Sequence, residues 1–449
     1  MLSIITALFL LLPGASFSAG RSPAGDKKGV ASLKGIHQER LANGVTLLVR
    51  EDHAQPLVSV QVWVKVGSLN ETAKTNGLSH FLEHLIFKGT EKYPGDEISR
   101  KTETQGGMIN AATSKEFTQF YIDTQKAALA DTIDILADAM ANAAFPNDEI
   151  EKERPVVIEE IRRHSDNPGA VLYDLYNEAL FLKTPYRSTI IGTEDIIRNV
   201  SRQEIIDYYK TFYVPENMFV GIAGDFNTAD VVRLAKETFG KQKNVTPPPA
   251  PSLIEPEHKA ISLSKKKDVE QTYWYGGFLG PVITSKDQFA ADVTSTILGG
   301  GRSSRLFRRL REEKQLVYSI GASYWSQRGT GALTCSAVFS PEKEQEVIRE
   351  IINEINELEK NGPTDQEIAR AKQMTTSQWH FGIEKYHDQA SLMAYWHMQG
   401  NPDMVQGYIA GINAVEKKDV QEFLKKYYRP QGLNQALLVP EQQAPETQQ

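Results

Sequence analysis

Three residues within little more than one helical turn carry the most legible chemistry in this chain: His80, Glu83 and His84, in the run His80-Phe81-Leu82-Glu83-His84. Positions i and i+4 share a helical face, so both imidazoles can present nitrogens to one divalent ion while Glu83 stays beside them. Such a set suits metal-assisted hydrolysis, in which the ion acidifies a water and a free carboxylate moves the proton. The order H-x-x-E-H is the inverted form of a zinc-hydrolase motif. The plainer reading is that three polar residues form the wet face of an amphipathic helix. Leu78, Phe81, Leu82, Leu85 and Ile86 make an apolar stripe on the opposite face, with Asn76 as expected N-terminal cap and Gly89 as expected end.

A catalytic zinc takes three protein ligands and keeps a fourth position for water. Candidates for the third ligand crowd Glu149 to Ile161. On a helix, Glu160 falls between Val156 and Val157 on the apolar side, Glu153 lies almost in line two turns earlier, and Glu159 points to solvent. A carboxylate among packing residues needs a partner, and a cation is one answer. The residues alone leave two alternatives open: a salt-bridged surface helix, and His164 on the same face as a rival ligand. His37, His258 and His397 show no metal spacing.

Elements that could position these groups must come from a chain of 449 residues, 40% hydrophobic and 24% charged, which is ordinary globular composition long enough for two to four domains. The balance of 50 Lys+Arg against 57 Asp+Glu gives a net charge of −7 and supplies no basic field for nucleic acid. Cys335 is the only cysteine, which excludes an intramolecular disulfide and a cysteine metal cluster; in the strand-like run 332–338 it reads as a small buried hydrophobe. Residues 1–18 read as a signal peptide, with an apolar run from Leu2 to Leu12, Pro13-Gly14 and then small residues, and 19–35 as a polar spacer. No Cys follows the run for a lipid anchor, and it lacks the arginines of a mitochondrial presequence. The expected location is therefore the periplasm or the exterior, with membrane contact only through an uncleaved signal segment.

Strands are expected at Val45 to Arg50, at Val58 to Val66 as a half-buried alternating strand, and at Met218 to Ala223; helices are expected at 77–88, 127–143, 148–164, 170–182 and 202–212. The proline-rich run within 243–258 marks a linker between an N-terminal domain, 36–242, and a C-terminal domain, 259–441, before a polar tail, 442–449. The second domain repeats the order of the first: a strand near Gln271 to Phe278, a helix near 285–298, strands near 317–338, then helices at 341–359 and from 364 onward. Pro146-Asn147-Asp148-Glu149-Ile150 and Pro363-Thr364-Asp365-Gln366-Glu367-Ile368 stand about 217 residues apart, a long-period likeness that suggests duplication. The fold class expected is α+β, two related domains of mixed sheet packed with helices.

The HFLEH run, the stretch Glu153-Arg154-Pro155-Val156-Val157-Ile158-Glu159-Glu160-Ile161, the run Asn110-Ala111-Ala112-Thr113 and the segment from Gly299-Gly300-Gly301 to Tyr318 together resemble the pitrilysin family of zinc peptidases. The likeness is to the short two-domain branch that includes mitochondrial processing peptidase, and it spans nearly the whole mature chain. It implies one Zn²⁺ per chain on His80, His84 and Glu160, Glu83 as general base, and Glu153 as a group that orients a ligand. Pro155 departs from the family pattern: it removes an amide donor and is expected to kink the helix beside Glu153 or begin a new one. The likeness also implies that Asn110, Ala111 and their neighbours form an edge strand to which a substrate peptide adds, and that Arg311 and Tyr318 bind substrate or intermediate. Read alone, Arg311 is one cation of a charged helix and Tyr318 a strand aromatic.

Longer relatives fuse two such halves into a clamshell. The resemblance thus implies that this chain is one half and pairs as a homodimer, or as the active half of a heterodimer with an inactive paralogue. The leading functional expectation is an exported zinc endopeptidase acting on oligopeptides or unfolded segments. Its rivals are a non-catalytic, core-type assembly subunit of the same fold and a metal-storage module, which would not need Glu83.

Overall fold

The computed structural model describes residues 33–256, 259–429 and 432–441. The expected signal segment, His258 and the polar tail lie outside the described residues. Strands β1 (Ile36–Arg40), β2 (Thr46–Glu51), β3 (Leu57–Val64), β4 (Met108–Thr113), β5 (Thr118–Gln125) and β6 (Met218–Gly224) form one sheet in the order β1-β2-β6-β3-β5-β4. Strands β7 (Ser262–Lys267), β8 (Thr272–Gly280), β9 (Ser319–Ser326), β10 (Gly331–Phe339) and β11 (Asn434–Pro440) form the other, in the order β7-β11-β8-β10-β9. Each sheet is mixed, with one parallel pair, β2 with β6 and β7 with β11, among antiparallel neighbours.

The first half carries α1 (Leu78–Leu85), α2 (Glu97–Thr104), α3 (Leu129–Asn142), α4 (Asn147–Asp166), α5 (Pro168–Leu180), α6 (Glu194–Asn199), α7 (Arg202–Phe212) and α8 (Thr228–Glu237). The second carries α9 (Asp287–Gly299), α10 (Glu344–Asn361), α11 (Asp365–Phe381), α12 (Tyr386–Met398), α13 (Met404–Ala414) and α14 (Lys417–Tyr427), with a π-helical turn at Phe307–Glu313. Without the extra β1 the two sheets superpose strand for strand in order and direction, the pattern a duplication leaves behind. The proline-rich segment 243–256 contains neither helix nor strand.

Each half has its own core, one built around Val60, Val62, Phe81 and Phe120, the other around Trp274, Ile297, Leu333 and Ile351. Two further clusters join the halves. Helix α5 leaves the first half to pack on β8 and β11, where the Tyr176 hydroxyl meets Thr334 Oγ1 at 3.1 Å, while α12 leaves the second half to pack on β3 and β6. This exchange corrects the expectation that β3 is half-buried. Ser59, Gln61 and Trp63 are 1, 0 and 5% exposed because α12 covers the face that alternation assigned to solvent, and Gln61 Nε2 donates to the His387 carbonyl at 2.8 Å.

Candidate metal centre

Helix α1 begins at Gly77, whose φ of 102° places it in the left-handed region. Its N-terminal amides are satisfied by Glu71, whose carboxylate accepts from Gly77 N and Ser79 N, both at 2.8 Å. The expected cap, Asn76, makes no capping bond; its Nδ2 donates to Glu71 and to the Thr189 carbonyl. The apolar stripe is as expected, with Leu78, Phe81, Leu82, Leu85 and Ile86 at most 1% exposed. The turn is thus held from its start and along one whole side.

The other side meets α4. Pro155 lies inside this helix, which continues from Asn147 to Asp166 through it, so the proline does not displace Glu153 from the site. Glu160 Oε2 lies 3.5 Å from His80 Nε2 and 3.4 Å from His84 Nε2, and the two imidazole rings stand nearly perpendicular at 88°. One ligand atom from each of His80, His84 and Glu160 falls within 4.8 Å of the others. Ligands about 2.0–2.1 Å from a tetrahedral zinc stand roughly 3.3 Å from one another, so the spacing and the two-nitrogen, one-oxygen donor set fit zinc. Glu159 faces away, toward Arg162 and Arg163, and His164 pairs with Asp174 at 2.7 Å, outside the cluster.

Glu153 sits behind His84, with Oε2 3.2 Å from Nδ1, and also pairs with Lys88. A carboxylate on the outer nitrogen fixes the ring and leaves Nε2 facing Glu160, where it would be free to hold an ion. Burial alone would lower the pKa of His84, but Glu153 and Glu160 outweigh it and push the imidazole up to about 9. Glu160 is held well below the ordinary carboxylate range: its hydrogen bonds to His80 and His84 overcome the opposing effect of burial. Both shifts have one cause, carboxylates held against the imidazole pair, a negative setting in which positive charge is stabilised.

Glu83 projects beside the trio and accepts from Thr113 Oγ1 at 2.5 Å. Thr113 ends β4, which among the described residues pairs only with β5 and so forms an edge of the sheet, beside α1. Asn110 and Ala111 lie on this strand, opposite Tyr121 and Phe120. Arg311 and Tyr318 are not brought to the trio. Arg311 Nη1 donates to the Val317 carbonyl at 2.9 Å, and the Tyr318 hydroxyl, on a side chain half exposed, meets Ser340 Oγ at 2.8 Å.

Sequence reading missed Glu71 as the cap and Thr113 as the partner of Glu83. The first belongs to a loop without helical periodicity, and the second depends on a strand-to-helix contact that spacing does not encode. Cys335 lies fully buried in β10, where desolvation pushes its thiol up to about 12, the state of an inert packing residue.

Residues 46–194 match the family model described as insulinase, peptidase family M16, and residues 199–375 match that of the peptidase M16 inactive domain. The chain is 30% identical over 349 residues to the uncharacterized zinc protease YmxG of Bacillus subtilis, covering 78% of this chain and 85% of that protein. It is 29% identical over 407 residues to the zinc protease PqqE of Helicobacter pylori, covering 89% and 92%. The crystal structure of a protease from Helicobacter pylori aligns with a TM-score of 0.85 at 27% identity, over 90% of this chain and 100% of that one.

Proposed function

The chain belongs to the M16, or pitrilysin, family of peptidases in its short two-domain form, and we propose that it is an exported zinc-dependent endopeptidase. The observation that carries this reading is the convergence of His80, His84 and Glu160 from two helices, with Glu83 beside them and not among the ligands. When bound, zinc supplies a Lewis acid that acidifies water and polarises a carbonyl. Glu83, steadied by Thr113, accepts the proton of the attacking water and delivers it to the leaving amine. The open edge of β4 takes the substrate as an added strand, which favours extended peptides over folded proteins.

Arg311 and Tyr318 complete the site from a second copy of the chain or a paralogue. Their exposure, and their distance from the trio along the fold, support a role across an interface and not within one chain. Among the described residues no helix is long and apolar enough to cross a membrane.

Peptide cleavage by the wild type, by Glu83→Gln and by a chelated sample tests the reading. Glu83→Gln should keep its zinc and lose turnover by about 10²–10⁴-fold. Normal turnover in that variant removes Glu83 from the chemistry. A fully zinc-loaded wild type without cleavage favours the non-catalytic subunit.

A further inference from the structure

The turn that joins β4 to β5 holds a carboxylate that the proposed chemistry does not use. Glu116 is 2% exposed, and both of its oxygens are engaged. Oε1 accepts from the Tyr186 hydroxyl at 2.6 Å and from Arg328 N and Nε at 3.1 and 3.3 Å, while Oε2 accepts from Gln399 Nε2 at 2.7 Å. Tyr186 belongs to the first half; Arg328 lies in the β9–β10 turn of the second, and Gln399 ends α12. Gly329 N donates to the same Tyr186 hydroxyl, and a Cβ on Gly329 would come 2.3 Å from Leu253 Cβ, so the second-half turn is seated tightly in this junction. A buried anion with four charge-assisted or neutral donors is costly to assemble and rigid once complete.

From this turn two short backbone paths lead to the metal centre. Along β4, three residues before Glu116, Thr113 donates to Glu83. Across the turn, Ser68 N and Leu69 N donate to the carbonyls of Ser114 and Lys115, in the loop that leads directly to Glu71 and the start of α1. Lys115 is also buried and donates to the carbonyls of Tyr186 and Ser188, so the turn is fastened on both sides.

We propose that Glu116 is a positioning residue: by binding the β4–β5 turn to Arg328 and Gln399 of the second half, it sets Thr113 and, through it, the Glu83 carboxylate against the His80–His84 pair. This rests on the peptidase reading above, in which Glu83 is the base. The second half then acts on catalysis within its own chain, separately from anything Arg311 and Tyr318 contribute. Misplacing a catalytic group by a fraction of an ångström lowers turnover without weakening ground-state binding.

The test is a double-mutant cycle in the full-length zinc-loaded protein, with hydrogen exchange alongside. Glu116→Gln should lower kcat by about tenfold at a KM within about twofold of wild type, with zinc content unchanged. In a Thr113→Val background the same substitution should cost less than about threefold, because the route to Glu83 is already cut. Amide exchange over 108–113 should quicken in Glu116→Gln. Should that variant not fold, Gln399→Met, which removes one donor and keeps the side-chain volume, should show the same pattern at smaller amplitude. Equal fold-losses in both backgrounds, or unchanged exchange over 108–113, overturn the proposal. If the wild type cleaves nothing, the peptidase reading fails by itself and the exchange result still decides whether Glu116 holds β4.

Discussion

The two halves trace one chain path and differ where the first helix meets the fifth element that follows it. In the first half α1 meets α4, and His80, His84 and Glu160 face one another across the gap. In the second half α9 meets α11, and the about 217-residue offset sets Arg370 against Glu153 and Ser377 against Glu160. There the Arg370 guanidinium donates to the Gly300 carbonyl at 2.8 Å and the Thr296 carbonyl at 3.4 Å, and Thr296 and Thr375 hydroxyls lie 3.4 Å apart. A fixed cation with backbone acceptors thus occupies the junction that, in the first half, gathers donors around a place for an ion. Helix α9 is also pressed against β9, where a Cβ on Gly299 would fall 1.8 Å from Ala322 N, and the same offset sets Ile297 and Gly301, neither able to ligate a metal through its side chain, where the first half has His80 and His84. The shared framework supplies helices at a fixed angle to a sheet edge, and only the side chains decide whether that place can hold a metal.

The sharpest way to break this contrast is to exchange the roles of the two junctions. Glu160→Gln should lose most of its zinc by elemental analysis and at least about a thousandfold in turnover, since a neutral amide is a poor third ligand. Arg370→Gln should leave both within about twofold while lowering the urea midpoint, because its hydrogen bonds are structural. A comparable loss of zinc from both variants would make the second junction part of the metal site. Next in size, Gly299→Ala should destabilise the fold by about 3 kcal/mol in urea titration, since the new methyl collides with backbone that cannot yield locally. A shift below about 1 kcal/mol would mean that α9 is free to move off β9, and the steric part of the contrast would fall.

Periodicity made the metal side of this comparison legible. The two faces of α1 follow from five apolar residues and three polar ones, and the angular position of Glu160 on α4 separates it from Glu159. Both are statements about a single helix, which sequence spacing encodes directly. The reading failed where another part of the chain decided the outcome. Gln61 is fully buried because α12, more than 300 residues later, lies on it, and Glu116 is paired to Arg328 and Gln399 over separations of 212 and 283 residues. No local pattern marks such partners. The cap of α1 was missed for a related reason: Asn76 stands one residue before the cap position, which Gly77 occupies, and Glu71 reaches the first amides from a loop with both of its oxygens.

The exchanged helices offer the smallest test, and one with a defined pH window. On the second sheet the α5 contact is a neutral pair, Tyr176 with Thr334; on the first sheet the α12 contact is ionic, with His387 Nδ1 2.9 Å from Asp123 Oδ2. Burial lowers the pKa of His387, but the bond and charge of Asp123 outweigh it and leave the imidazole raised above 6.5, with Asp388 assisting and Lys385 opposing. Gln61 and the Tyr121 ring are its remaining neighbours on β3 and β5. A raised folded pKa means that stability from this pair is fully present below about 6.5 and fades as pH rises through the folded value. The advantage of wild type over His387→Gln in urea should therefore be largest near pH 6 and shrink by up to about 1 kcal/mol toward pH 9, the pair being partly exposed to solvent. Burial raises Asp388 and His387 partly offsets that, so the comparison is repeated with Asp388→Asn in both backgrounds to remove its share of the slope. Tyr176→Phe, removing the matching contact on the other sheet, should give a difference that is flat over the same range. An equal slope for both substitutions would show that the pH dependence belongs to the junction as a whole and not to the one ion pair that distinguishes α12 from α5.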